Sequence, residues 1–148
     1  MTDWAEATLA DLCEHIVSVH HVRMREALPQ LSAVLEADPA LREASVIFEE
    51  LRVEVEAHML DEEERLFPAV AALDRYEVDD FPLEEIEAFE AHHLRTNAAI
   101  RELRGLLDAD GAARELLDEL DRDLHTHLHE ENEVLFPRAL AVLGRAYS

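Results

Sequence analysis

The sequence predicts an all-α protein, folded as an up-down-up-down four-helix bundle that occupies residues 1–148 as a single domain. Apolar residues recur at spacings of three and four along four stretches of the chain, which is the period of an amphipathic helix. The chain has only 3 glycines and 5 prolines, few aromatic residues and no β-branched runs, so it offers little to a sheet or a loop-rich fold. Three short breaks separate the stretches, and short connections make consecutive helices antiparallel.

Each predicted helix is bounded by a local break in the apolar pattern. Pro39 follows the first helix, an acidic turn ending at Pro82 follows the second, and a turn at Gly111 follows the third. In chain order, the predicted helices span roughly residues 5–37, 40–75, 82–108 and 112–143. The bundle is therefore expected to consist of two similar helical hairpins, at about 5–75 and about 82–143.

Two segments of the sequence resemble each other. Residues 58–68 align with residues 127–137 at an offset of 69, and six of the eleven positions are identical. A weaker match relates His21 to His93 at an offset of 72. Each hairpin thus carries one helix with a lone histidine and one helix with a histidine and a glutamate. Such a duplication can place equivalent half-sites on facing helices, which favours a paired metal site in the bundle core.

The candidate ligands follow from helical spacing within the repeated segments. His58 and Glu62 are four residues apart, as are His127 and Glu131, and residues at this spacing share one face of a helix. Each pair offers an imidazole nitrogen and a carboxylate, which together suit iron, manganese or zinc. The other two helices each add one histidine at a matching repeat position. The predicted metal ligands are His21, His58, Glu62, His93, His127 and Glu131.

The remaining histidines are predicted to lie outside the ligand set. His125 and His129 are expected to be exposed or to stand behind the ligands, because only the face of His127 is repeated. His20 and His92 each precede a predicted ligand, so both are expected to line the pocket. His15 has no histidine counterpart in the repeat and is expected on the surface or in the core.

The charge balance excludes several function classes. The chain carries 35 acidic residues against 13 basic ones, all of them arginine, which gives a net charge of −22. Such a surface repels nucleic acid and anionic lipid, and no apolar run is long enough for a membrane span, so neither partner is expected. The single cysteine, Cys13, is expected to be a small core residue. Without a disulfide framework or a visible signal peptide, we expect a cytoplasmic protein.

These motifs resemble the haemerythrin-like HHE superfamily, and most closely the di-iron domain of the iron–sulfur cluster repair (RIC) proteins. The resemblance is carried by residues 11–16, 20–25, 28–31, 56–68, 90–93 and 124–140. It implies an oxo-bridged centre of two iron ions, with the four histidines above as terminal ligands and the two glutamates as bridges. A further carboxylate of the family maps onto Glu54, and His92 stands where a carboxylate is common. The N-terminal cysteine-pair domain of full-length repair proteins is expected to be missing.

The resemblance also implies a function in nitrosative and oxidative stress. The protein is expected to bind nitric oxide or oxygen and to donate iron to apo iron–sulfur proteins. Two alternatives stay open: a di-iron nitric oxide reductase or peroxidase that depends on an external reductant, and an oxygen or redox sensor module. They differ on whether the protein is an enzyme, and no catalytic residue is assigned. Reversible oxygen carriage is disfavoured because Asn97 and Asn132 stand where oxygen-carrying haemerythrins have ligands.

Overall fold

The computed structural model describes residues 6–146, which form the predicted four-helix bundle. The four helices are α1 (9–37), α2 (39–75), α3 (Leu83–Leu106) and α4 (112–146). The predicted start of the first helix at residue 5 lies outside the described residues. Helix α1 begins at Leu9 because the Thr8 side chain accepts a hydrogen bond of 3.0 Å from the backbone N–H of Asp11, which caps the first turn.

Three of the four helices are not regular along their whole length. Helix α1 consists of Leu9–His15, a π-helical segment Ile16–His21, and Val22–Ala37. Helix α2 consists of a 3₁₀ turn Pro39–Leu41, then Arg42–Asp61, a π-helical segment Glu62–Leu66, Phe67–Ala72, and a 3₁₀ turn Leu73–Arg75. Helix α4 consists of Ala112–Glu130, a π-helical segment Glu131–Leu135, and Phe136–Ala146. Only α3 is α-helical throughout.

The π-helical segments of α2 and α4 end directly before the repeated Phe-Pro pairs. The backbone N–H of Phe67 donates to the carbonyl of Glu62, five residues back, and Phe136 N–H donates to Glu131 in the same way. A proline such as Pro68 lacks the N–H and clashes with the carbonyl four residues before it, and a widened turn relieves that clash. A proline inside a helix can kink or end it, but here the distortion lies before the proline, inside the repeated motif, and the helix continues past it.

The helices pack as a closed square. Helix α1 packs against α2 and α4, and α3 packs against the same two helices. The Asp74 carboxylate at the end of α2 accepts hydrogen bonds of 3.1 and 2.9 Å from the backbone N–H groups of Leu9 and Ala10. Because these N–H groups have no partner within α1, this contact both caps α1 and fixes it antiparallel to α2.

Two apolar clusters make up the core. One contains residues from Met24 to Leu35, Ala44 to Met59, Ile100 to Leu107 and Ala113 to Leu124. The other contains residues from Leu9 to Ile16, Leu66 to Leu73, Ile86, Phe89 and Leu135 to Leu143. Cys13 lies buried in the second cluster as predicted, and burial raises the pKa of its thiol. On α1, α3 and α4 the predicted ligands fall between the residues of the two clusters, and on α2 His58 and Glu62 flank Met59, where the first cluster ends. Among the described residues, none of the helices is long and apolar enough to cross a membrane.

Candidate metal centre

The six predicted ligands meet in one layer between the two apolar clusters, and we call this set the polar layer. Its members are His21, His58, Glu62, His93, His127 and Glu131. Glu62, Glu131 and His21 are fully buried, and the most exposed members are His58 and His93, with 9% and 8% of their side chains exposed. Buried glutamate and histidine side chains are rare unless they are paired or bind a metal. All four helices contribute to the layer.

Glu62 lies at the centre of the polar layer. Its Oε1 atom is 2.9 Å from His58 Nε2, its neighbour one turn earlier on α2. The same oxygen is 3.5 Å from His127 Nε2 of α4 and 3.7 Å from His21 Nε2 of α1. One carboxylate therefore faces imidazole nitrogens from three helices.

Glu131 is the counterpart of Glu62 on α4. Its Oε1 atom contacts His127 Nε2 on the same helix, and its Oε2 atom lies 3.7 Å from His93 Nε2 of α3. The two histidine–glutamate pairs converge, because His58, Glu62, His127 and Glu131 each place a ligand atom within 4.8 Å of the others. His21 stacks on His127 with ring centroids 5.1 Å apart, and His93 lies 5.2 Å from His58 by the same measure. The repeat thus brings its two half-sites to one point.

Most polar atoms of this layer are buried without a well-formed hydrogen bond to any described residue. Both carboxylate oxygens of Glu62 and Glu131 and both ring nitrogens of His21 and His93 are of this kind. A buried polar atom without a partner costs roughly 1–3 kcal/mol. So many buried polar atoms in one place are explained by a metal ion, which binds nitrogen and oxygen atoms at the same time. A metal of the iron, manganese or zinc type fits this donor set.

Burial and the charges of neighbouring side chains shift the pKa values within the polar layer in different directions. Burial raises the pKa of the Glu131 carboxyl, and the charge of Glu62 raises it further. Burial also acts to raise the pKa of Glu62, but contact with Glu131 and His127 outweighs it and holds that pKa well below its usual value. Burial opposes a charge on His127, but the two carboxylates outweigh it and raise its pKa to about 10. Burial and the charge of His58 lower the pKa of His93 to about 3. Neighbouring histidines of one site therefore differ in charge at neutral pH.

On the α2–α3 side the polar layer opens toward the surface. His92 is half-buried and stacks on His58, with ring centroids 4.5 Å apart and an angle of 16° between the planes. Burial and the charge of His58 lower the pKa of His92 to about 4. Glu54 is exposed, and it lines a surface pocket together with His58, Asp61 and His92. Glu54 and His92 thus stand at the mouth of the layer.

On the α1–α4 side the polar layer is closed. His20 is 3% exposed, and its Nε2 atom lies 2.9 Å from Glu130 Oε2. Burial lowers the pKa of His20, while Glu130 acts against this. His15 Nε2 lies 3.4 Å from the other oxygen of Glu130. Sequence reasoning placed His20 near the site but missed Glu130. His125 and His129 are exposed.

A small apolar cavity adjoins the polar layer. It measures about 20 Å³, enough for about one water-sized molecule. His58, His93 and His127 form one part of its wall. The rest is lined mainly by apolar side chains from α1, α2 and α4: Met24, Val55, Met59, Leu124 and Leu128. The layer therefore has a non-polar space for a small ligand at its edge.

Comparison with known proteins agrees with this geometry. Residues 14–139 match the hemerythrin HHE cation-binding domain. The chain belongs to the hemerythrin HHE domain family. The matched range includes all six members of the polar layer, and cation binding, which the family description states, fits their donor atoms.

Similar HHE proteins carry names from iron–sulfur cluster repair. The chain is 28% identical to a probable iron-sulfur cluster repair protein of Haemophilus influenzae, over 93% of this chain and 68% of that protein. It is 32% identical to the iron-sulfur cluster repair protein YtfE of Salmonella schwarzengrund, over 94% of this chain and 70% of the relative. The YtfE protein of Edwardsiella ictaluri is 31% identical over 93% and 69%. The chain therefore aligns with about two thirds of the length of each relative.

Proposed function

We propose that this HHE domain is a non-haem di-iron protein of the iron–sulfur cluster repair type that acts in the cytoplasm. In this proposal the polar layer holds two iron ions as an oxo-bridged centre, binds nitric oxide or oxygen under nitrosative or oxidative stress, and donates iron to apo iron–sulfur proteins. Nucleic acid is not a partner in it, because the net charge of −22 opposes phosphate binding.

The convergence of four imidazoles and two carboxylates in one buried layer carries this proposal. Glu62 and Glu131 each have two buried oxygens without a well-formed hydrogen bond, so each carboxylate can serve two metal ions at once. Imidazole nitrogens from all four helices surround them. This six-residue donor set suits two ions better than one, because a single ion rarely takes two histidine–glutamate pairs and two more histidines.

In the proposed centre, the glutamates, the histidines and the cavity have distinct roles. Glu62 and Glu131 hold the two ions at a fixed spacing, and the histidines orient each ion. When bound, the two irons supply electrons and coordination positions for a small diatomic ligand. The cavity beside His58, His93 and His127 gives such a ligand a dry place of suitable size. The apolar walls from Met24 and Leu124 favour an uncharged gas over an ion or a larger metabolite.

Iron donation requires a way out of the polar layer, and the α2–α3 side supports one. The most exposed members of the layer lie on these two helices, His58 at 9% and His93 at 8% of the side chain, and the pocket at Glu54, Asp61 and His92 begins at His58. Carboxylates and an imidazole along this path offer transient ligands of the kind that iron already has in the layer. The closed α1–α4 side offers no comparable opening among the described residues.

Metal analysis of the whole chain after anaerobic loading with Fe²⁺ tests the proposal. We expect about two irons per chain and, after exposure to air, oxo-to-iron charge-transfer absorption in the near ultraviolet. Nitric oxide added to the reduced protein before exposure to air should give a new absorption spectrum, and an apo iron–sulfur protein should gain its cluster in the presence of sulfide. Multiple turnovers of nitric oxide or peroxide with a reductant would favour an enzyme instead. Absence of bound iron after loading would overturn the proposal.

A further inference from the structure

A second group of metal-type side chains lies outside the polar layer. It consists of His15 and His20 of α1 and Glu130 of α4, which we call the α1–α4 triad. His20 Nε2 lies 2.9 Å from Glu130 Oε2, and His15 Nε2 lies 3.4 Å from Glu130 Oε1. Ligand atoms from all three residues lie within 4.8 Å of one another. The triad is therefore compact enough for a single ion.

The triad is buried at His20 and partly exposed to solvent at His15 and Glu130. The His20 side chain is 4% exposed and its Nδ1 atom is buried without a hydrogen-bond partner, whereas Glu130 and His15 are 13% and 23% exposed. A buried imidazole fixes the position of an ion, and the outer two residues leave room for a water ligand. A site of this form is accessible to ions from solvent without passage through the polar layer.

The separations in the triad match the demands of a tetrahedral ion. Zinc bonds of about 2.0–2.1 Å to nitrogen and oxygen place neighbouring ligand atoms roughly 3.3 Å apart. The observed separations of 2.9 Å to one Glu130 oxygen and 3.4 Å to the other are close to this value, and one ligand atom from each residue lies within 4.8 Å of the others. Two histidines and one carboxylate with a fourth position open are a donor set that zinc and ferrous iron both accept.

The π-helical segment of α1 creates the triad. His15 and His20 are five residues apart, a spacing that points to different faces of a regular α-helix. The segment Ile16–His21 widens the turn between them, because its hydrogen bonds connect residues five apart, and both side chains then face Glu130. The repeat-related positions hold Glu87, His92 and Asp61, and no compact ligand group is found there among the described residues. The triad thus belongs to one side of the bundle alone.

We propose that His15, His20 and Glu130 form a mononuclear site for a divalent cation of the zinc or ferrous type, separate from the polar layer. The net charge of −22 concentrates such cations around the protein. The ring of His20 lies 6.0 Å from that of His127, so the triad places an ion next to the polar layer without sharing its six residues.

Zinc binding to the iron-loaded whole chain tests the site. The protein is dialysed against Zn²⁺ and both metals are measured per chain, for the wild type and for His15→Gln and Glu130→Gln. The wild type is expected to hold one zinc, and each variant is expected to bind it at least tenfold more weakly. His129→Gln is the matched control, because this exposed histidine is next to Glu130 on α4. It should bind zinc like the wild type.

Thermal unfolding, followed by helical circular dichroism, shows whether each variant folds. If one variant does not fold, the other still tests the site. Zinc binding equal to that of the wild type in a folded His15→Gln or Glu130→Gln variant would overturn the proposal, as would a wild type that binds no zinc. Iron is read in the same samples. If the variants bind less zinc than the wild type but no sample binds iron, this site is supported and the di-iron function is contradicted. If the samples bind iron but the variants bind zinc like the wild type, the di-iron function is supported and this site is contradicted.

Discussion

His21 and His93 hold matching positions in the two hairpins, yet the backbone around them differs. His21 ends a π-helical segment of α1, whereas α3 is α-helical from Leu83 to Leu106. The residues just before them diverge as well. His20 is closed in against Glu130, while His92 stacks on His58 at the mouth of a pocket. The duplicated motif thus repeats the donor atoms, and the neighbouring residues decide which side of the layer opens.

The largest expected effect comes from removing the glutamate that each hairpin contributes to the polar layer. Glu62→Ala and Glu131→Ala should each remove at least one of the two irons per chain, because each carboxylate is proposed to serve both ions. Iron content after anaerobic loading measures this, with helical circular dichroism as the check on folding. Full iron content in both variants would contradict their role as bridges, and loss in only one would show that the two hairpins are not equivalent.

The second effect concerns the opposite charge states of His127 and His93. The raised pKa of His127, about 10, keeps this ring protonated at pH 7, and binding of a metal must remove that proton. Metal affinity should therefore rise with pH up to about 10, by up to tenfold per unit for each proton released. His93, with a pKa of about 3, releases none near neutrality. Proton release during loading in weakly buffered solution measures the number, and a value of zero would contradict this assignment.

The third effect contrasts the closed and open sides of the polar layer. His20→Ala should lower the free energy of unfolding by about 1–3 kcal/mol, because it leaves a cavity and a largely buried Glu130 carboxylate that has lost its nearest partner. His92→Ala, on a half-buried residue, should cost less stability but speed the binding of nitric oxide. Denaturant unfolding and stopped-flow absorbance measure the two quantities. Equal decreases in the free energy of unfolding for the two variants would contradict the difference between the closed and the open side of the polar layer.

The smallest effect concerns a residue found in the first hairpin alone. Cys13 is 5% exposed in an apolar cluster, and the repeat-related position holds Glu85. Cys13→Ala should lower the free energy of unfolding by about 1 kcal/mol, through lost packing, and leave the iron content unchanged. Leu60→Ala is a matched control on an exposed apolar residue, with an expected change within about 0.5 kcal/mol. A lower iron content in Cys13→Ala would show that this cluster also positions the ligands.

Local patterns were enough to predict the helices and to bring the six residues of the polar layer together. Apolar spacing gave helix bounds close to those observed, and the offset between residues 58–68 and 127–137 selected His127 over its neighbours His125 and His129. The π-helical segments were not predicted, because a widened turn has no side-chain pattern of its own. Glu130 was missed for the same reason, since its approach to His15 depends on that widened turn and on the packing of α1 against α4.

The widened turns also follow the sequence repeat in two of the helices but not in the other two. The segments of α2 and α4 begin 69 residues apart at Glu62 and Glu131, which is the offset of the repeat. The segment of α1 has no counterpart in α3, although His21 and His93 occupy matching positions. The two hairpins therefore share a backbone geometry in their histidine–glutamate helices and differ in their lone-histidine helices.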